Sequence, residues 1–286
     1  QAEFPGVPTS LILAGEPPYP NAKVWSLDHM MRAARYEILA MSDSDIRVTP
    51  DFLATVAAEF ADPGVGLATC PYRAVPGAGF WTTIEAIGMN TQFLGGVLAA
   101  RLLEGMKFAL GPTIVARKSV LRQMGGFDRL KDYLAEDFVM GKLAAELGHK
   151  VVLSSYVIEH HIGSAGLRQN FGHRLRWARS TRRSRPAGYV GEMFTMPLPW
   201  LLALWLVQPG WWPGALTLAL LRVLSAGACA GWILRDPLTL RRWYLLPLQD
   251  LLAFGFWFAG FFGNTIHWRG RTYFLKPDGT FELIGR

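Results

Sequence analysis

Two aspartates one residue apart, Asp43 and Asp45 in MSDSDIRV, follow the apolar run EILAM. Such a run predicts a β-strand, and the carboxylates then stand at its C-terminal edge, where open α/β sheets bind ligands. At this spacing they can grip a hard divalent ion, with diphosphate oxygens filling the remaining sites. Taken alone, the triplet also suits a turn in which Asp and Ser cap the segment that follows. A second acidic pair, Glu136 and Asp137, opens EDFVMGKLAAELG, whose Leu143, Leu147 and closing Gly148 predict a helix. The helix dipole alone favours acids in a first turn. The chemical reading makes Asp137 a general base that takes the proton of an acceptor hydroxyl. The third element is the arginine-rich FGHRLRWARSTRRSR. Here Arg176 can set a guanidinium on a leaving diphosphate and Trp177 an aromatic wall near the acceptor. The same run equally suits a solvated face or a contact with anionic lipid.

The elements that must position these residues fall into two regimes that meet near Tyr189. Before it, β-like runs alternate with amphipathic segments (EILAMSD, PDFLATVAAEFAD, VGLATCPY), the rhythm of an α/β domain with a mostly parallel sheet. Phe52, Val56 and Phe60 recur at helical spacing behind Pro50 and Asp51, so a helix is predicted after the acidic triplet. From Phe194 onward come three apolar segments, LPWLLALWLV, WWPGALTLALLRVLSAGACAGWIL and WYLLPLQDLLAFGFWFAGFFG. At least two have the length a bilayer core requires, and Trp211, Trp212, Trp243 and Trp268 sit where interfacial belts form. Basic residues before the first segment, between the second and third, and after the last all ask for the cytoplasmic side. Three full spans would export the C-terminal tail, so the shortest segment, interrupted by Pro197 and Pro199, is expected to re-enter or lie in the interface; the third, with Pro247, Gln249 and Asp250, is the rival. Arg222, inside the second segment, is expected to meet a lipid headgroup or a diphosphate.

The net charge of +7 and 51% hydrophobic content fit a large core with membrane contact, and nucleic acid is not an expected partner. Cys70 and Cys229 are the only cysteines, too few and too far apart for a disulfide framework or a zinc pattern. The glycines of GAGFWTTIEAIGMNTQFLGG follow no dinucleotide fingerprint and read as loop and helix-packing positions. His160 and His161 read as a strand-end pair, with approach to a metal or donor as the alternative.

In this order, PNAKV, SDSDIRV, GPTIVARKSVLRQMGGF, YLAEDFVMG, HRLRW and IHWRGRTYFL resemble the membrane-bound, inverting family 2 type glycosyltransferases, most closely the ceramide glucosyltransferases, over nearly the whole chain. The resemblance implies a GT-A nucleotide-sugar domain (α/β) facing the cytosol, followed by a helical membrane region. It also implies a UDP-sugar donor, a membrane-lipid acceptor (ceramide, or a hopanoid with N-acetylglucosamine as the sugar) and a divalent metal, Mg2+ or Mn2+. Position by position, Asp43 and Asp45 match the metal-binding DxD pair, and Asp137 the catalytic base beside Glu136. Arg176 and Trp177 match the end of the Q/R-x-x-R-W motif that lines the diphosphate and acceptor region. His173 stands where that motif has Gln or Arg, and Lys23 matches a donor-pocket lysine. The implied organisation is a partial catalytic domain over 1–189, transmembrane or interfacial helices over 190–264 and a cytoplasmic tail over 265–286. The resemblance further implies that a uridine-binding segment belongs before Asp43, where nothing in this chain matches it. Two further readings are a processive polysaccharide synthase, for which the spans are too few, and an inactive nucleotide-sugar-binding fragment.

Overall fold

A computed structural model describes residues 6–163 and 166–285. Its main sheet has four strands in the order β1-β5-β3-β6, with β1 at Ile38–Ser42, β3 at Val65–Thr69, β5 at Thr113–Arg117 and β6 at Lys150–Leu153. A helix, α1 (Ala22–Ala33), precedes β1, and α2 (Phe52–Ala58) follows it, burying Phe52, Val56 and, one short turn later, Phe60 as the spacing predicts. Removing each of these side chains from water contributes about 1.5–3 kcal/mol.

The sheet is less parallel than expected, because β5 runs against both β1 and β3 and only β3 and β6 pair in parallel. The chain leaves β3 at Thr69 and returns at Thr113, which pairs with Ser42 at the end of β1. It therefore re-enters the sheet from the edge it left. The excursion carries β4 (Tyr72–Pro76), which with β2 (Ile46–Arg47) and β7 (Ile158–Ile162) forms a second sheet, and a long helix. That helix runs through α3 (Phe80–Gly88) and α4 (Leu94–Glu104) and is interrupted by a wide π-turn at Met89–Phe93. Turns of this kind are often found at functional sites.

After β5 come α5 (Lys118–Gln123) and α6 (Glu136–Glu146), and after β7 the arginine-rich α7 (Leu167–Ser184). Next are α8 (Pro186–Gly191), α9 (Pro197–Val207), α10 (Trp212–Gly227), α11 (Pro237–Arg241) and α12 (Leu246–Gly260). Among the described residues one helix, Pro209–Ile233, is long and apolar enough to cross a membrane, and the pair Pro186–Thr195 and Pro197–Val207 meets that test only as a unit bent by 63°. Fewer segments are straight spans than the sequence predicts: α12 has only 15 residues and buries Gln249 and Asp250. Before α9, Glu192 Oε1 accepts from Gln92 Nε2 at 3.2 Å; after α10, Asp236 Oδ2 accepts from Asn90 Nδ2 at 2.9 Å. Helices α9 and α10 thus leave from and return to the same π-turn as a hairpin, whose tip exposes Leu206, Val207, Trp211 and Trp212.

Three arginines in the C-terminal half of α7 are committed inside the fold. Arg179 Nε donates to Phe262 O at 3.1 Å, Arg182 Nη2 to Gly263 O at 3.0 Å, and Arg182 and Arg183 both reach Asn264 Oδ1 at 2.6 Å. They satisfy acceptors of the turn that follows α12, beside a helix C-terminus where cations are favoured. The segment expected to be a tail forms an antiparallel sheet, β8 (Thr265–Trp268), β9 (Arg271–Leu275) and β10 (Phe281–Gly285). It buries Leu134 with Ile266, Tyr273, Leu275 and Phe281, and Phe281 N donates to Asp132 O at 2.8 Å. That sheet braces the loop leading into Glu136 and Asp137.

Candidate active site

Strand β1 ends at Ser42, so Asp43 emerges at the sheet edge, where its N–H donates to Pro112 O at 3.0 Å. Beside it the Thr69 hydroxyl donates to Leu110 O at 3.0 Å and accepts from Leu110 N at 2.9 Å. These bonds hold the loop Phe108–Pro112 against the strand ends. Helix α6 lies on that loop at contact distance. A β-carbon at Gly141 would come within 2.4 Å of Ala109 N, and one at Gly111 within 2.7 Å of Asp137 Oδ2. Two bare positions therefore let the first turn of α6 close on the sheet edge.

Asp137 is a half-buried carboxyl there. Burial, and after it the neighbouring Glu136, push its pKa up to about 6, with the backbone N–H of Phe138 and the Lys23 ammonium pulling the other way. It is thus a carboxylate at neutral pH, yet basic enough to take a proton.

The helix α1 supplies the opposing charge. Asn21 caps it by accepting from Lys23 N at 3.0 Å and Val24 N at 3.1 Å, while its amide donates to Tyr133 O at 2.8 Å and Glu136 Oε2 at 3.1 Å. The capped turn delivers Lys23 Nζ to 2.9 Å from Asp43 Oδ1, 3.5 Å from Glu136 Oε1 and 3.2 Å from Gly111 O. Burial opposes the ammonium, but Glu136 and Asp43 outweigh it and hold the Lys23 pKa above its ordinary value. Lys23, Asp43 and Glu136 are brought together as one charge-linked unit.

Asp45 takes a separate partner, with Oδ2 3.4 Å from His160 Nε2. Burial pulls the His160 pKa down, Asp45 partly restoring it, and His160 Nδ1 is buried without a hydrogen bond. On α7, His173 Nδ1 lies 2.8 Å from Glu85 Oε1, and Asn170 Nδ2 donates to the other oxygen of the same buried carboxylate. The His173 ring is 4.8 Å from Trp177, which lies 6.4 Å from Phe93 of the π-turn. Arg176 has no hydrogen-bond or ion-pair partner among the described residues. Burial lowers its pKa, with Glu136 countering, so a largely enclosed cation faces the acidic cluster without a direct mate.

The family described as Glycosyl transferase family 21 matches the chain over residues 1–281. The chain belongs to that family. Among curated relatives, it is 27% identical to ceramide glucosyltransferase 1 of Caenorhabditis elegans over 177 residues, 61% of this chain and 38% of that protein. It is 24% identical to ceramide glucosyltransferase 3 of the same nematode over 178 residues, 62% of this chain and 39% of that protein. The chain therefore matches well under half the length of either relative.

For a family 21 chain the fit to a divalent ion rests on donor chemistry. Among the described residues no group of three or more His, Cys, Asp or Glu side chains is arranged to hold a metal. What remains is the exposed carboxylate of Asp45 and that of Asp43, already partly neutralised by Lys23. One or two carboxylates completed by substrate phosphates suffice for Mg2+, so these donors fit an ion that arrives with its nucleotide. The residues missed in the sequence are Asn21, Glu85, Gly111 and Asn170. A helix cap two residues before Lys23 was the only local signal among them; the others act across 85 to 88 residues of chain or through backbone contact.

Proposed function

We propose that this family 21 chain carries the catalytic apparatus of an inverting glycosyltransferase that moves a hexose from a UDP-sugar to the hydroxyl of a membrane lipid, most like glucosylceramide synthesis. The observation that carries the reading is Asp137, with its pKa of about 6, seated on Gly111 at the sheet edge in the field of Lys23, while the enclosed Arg176 feels the adjoining Glu136. Asp137 takes the proton of the acceptor hydroxyl as that oxygen bonds to the anomeric carbon. The bond from that carbon to the diphosphate oxygen breaks on the opposite face, and UDP leaves with the electron pair. One displacement inverts the centre and leaves no covalent enzyme intermediate. Arg176 neutralises the departing diphosphate, while Lys23 keeps Asp43 and Glu136 from repelling it. Trp177 forms a wall of the acceptor side, and the Glu85 carboxylate orients His173 beside it. A divalent ion, Mg2+ or Mn2+, held by Asp45 and Asp43 together with the diphosphate, would further screen the leaving charge. The hairpin α9–α10 holds the chain in the bilayer, with the catalytic domain on the cytoplasmic side.

The test is a radiolabelled transfer assay in detergent micelles. UDP-glucose and UDP-N-acetylglucosamine are offered to ceramide and hopanoid acceptors, with and without divalent metal. The expected product is labelled glucosylceramide, lost in Asp137→Asn while UDP binding survives, whereas Asp43→Asn and Asp45→Asn weaken metal-dependent UDP binding. Label in a hopanoid instead would change the acceptor assignment. Equal loss of UDP binding in Asp137→Asn and Asp43→Asn would overturn the division of labour.

A further inference from the structure

A cavity of about 300 Å3 opens between the π-turn, the bend at Phe194–Pro197 and helix α10. That volume lies at the lower end of the range for small-molecule sites. Its walls are mixed. Leu218, Leu221 and Phe194 are apolar and largely exposed, while Gln92, Arg222 and Ser225 are polar.

The Arg222 side chain is only 9% exposed and faces the 1% exposed carboxylate of Asp250, with Nη2 2.7 Å from Oδ1 and Nε 3.0 Å from Oδ2. Its Nη2 also reaches Thr91 Oγ1 at 3.3 Å. The pair satisfies the charge but not every donor, because Arg222 Nη1 and the Ser225 hydroxyl hydrogen-bond to nothing among the described residues. The cavity is thus polar and close to neutral, with spare hydrogen-bonding groups and an apolar rim on the candidate membrane helix. A phosphate head would meet an arginine whose charge is already matched. An uncharged head with a carbonyl and hydroxyls would find an N–H donor and a hydroxyl partner, and hydrocarbon chains can leave along Leu218 and Leu221.

The cavity also adjoins the proposed chemistry. Gln92 lines it, and the next residue, Phe93, stacks on Tyr72 at 5.2 Å and approaches Trp177. Burial, then Asp137 and Glu85, push the Tyr72 phenol well up, so this ring lies within the field of the proposed base. The π-turn therefore carries the cavity wall on one residue and the aromatic wall of the site on the next.

We infer that this cavity seats the head of the acceptor, an uncharged lipid alcohol bearing an amide, before its hydroxyl is presented to Asp137. The inference rests on the proposed function for the step that follows, but the binding itself can be read separately. Neighbouring glycines supply the test. Gly95 lines the cavity, and a β-carbon there would meet only Cys229 Sγ at 4.0 Å, whereas one on Gly96 meets nothing within 4 Å. Gly95→Leu fills the cavity, and Gly96→Leu makes the same change in helix propensity outside it.

The full protein in lipid nanodiscs is photolysed with a diazirine-bearing, two-chain N-acyl amino alcohol, labelled peptides are mapped by mass spectrometry, and transfer kinetics are run in parallel. We expect label on the peptides around Phe194 and Leu218–Ser225 in the wild type and in Gly96→Leu, with at least about a tenfold loss in Gly95→Leu. The acceptor KM should rise by a similar factor in Gly95→Leu while the donor KM holds. Unchanged labelling and kinetics in Gly95→Leu, equal losses in both variants, or efficient displacement of the probe by a phosphatidic acid but not by ceramide would overturn the inference. Cavity labelling without any sugar transfer would keep the binding site and remove the proposed function.

Discussion

The Asp137 carboxylate rests on the bare Cα of Gly111, so close that a β-carbon there would come within 2.7 Å of Oδ2. This carboxylate is thus held by a missing side chain on one side and lies in the field of Glu136 and Lys23 on the other. Gly111→Ala should displace the carboxylate with little effect on the sheet. We expect kcat to fall about 10- to 100-fold, the cost of moving a reacting group by roughly an ångström, with UDP affinity near wild type by calorimetry.

The pH dependence follows from the same carboxyl. Under the proposed function Asp137 works as carboxylate, so transfer should fall about tenfold per pH unit below its pKa of about 6 and level off above it. Stability runs the other way. Its folded pKa lies above the unfolded value of about 3.9, so between these values the folded state holds a proton that the unfolded state has released, and stability is lost as pH rises through that window. Asp137→Asn should therefore abolish transfer while melting higher than wild type at pH 7. A lower melting point would show that burial does not dominate the environment of Asp137.

Lys23→Met leaves Asp43 and Glu136 without the cation between them and takes away a charge that lowers the Asp137 pKa. The acidic limb of the rate profile should move to higher pH, and UDP should bind more weakly. A limb that stays in place would place Lys23 outside the electrostatics of the base.

Glu85 is 3% exposed and serves both His173 and Asn170. Its replacement by Ala should cost about 1–3 kcal/mol by leaving buried partners unmatched, visible as a lower urea midpoint. The conservative His173→Gln keeps a hydrogen-bonding group against Glu85 and should retain most transfer activity. Loss of activity with the fold intact would assign His173 a role that needs the imidazole itself.

The residues legible in the sequence, Asp43, Asp137, Arg176 and Trp177, share one property. Each sits at a strand end, a helix start or a helix-borne motif that local spacing announces. Gly111 cannot be read that way, because its meaning is a contact with a helix that begins 25 positions later. Glu85 looks like one polar residue in an apolar helix until α7 folds across it. The reversed direction of β5 was equally hidden, since its composition is that of any buried strand and only the path from Thr69 to Thr113 sets its sense. The arginines of α7 show the converse error. Density of charge suggested a lipid-facing or solvated surface, yet three of them spend their donors on the α12 terminus and the turn after it.

The hairpin α9–α10 begins and ends on one π-turn, through Gln92 and Asn90. Its arms are unequal: α9, with 11 residues, reaches about 16 Å, and the 25 residues of Pro209–Ile233 about 37 Å. However far such a wedge enters a bilayer of about 30 Å, it must come back, because both attachments are to the same folded body. The C-terminal sheet that braces the loop before Glu136 is bound to that body as well. A reporter fused after Gly285 therefore samples the compartment that Asp137 faces, and under the proposed function that same compartment would have to supply the donor.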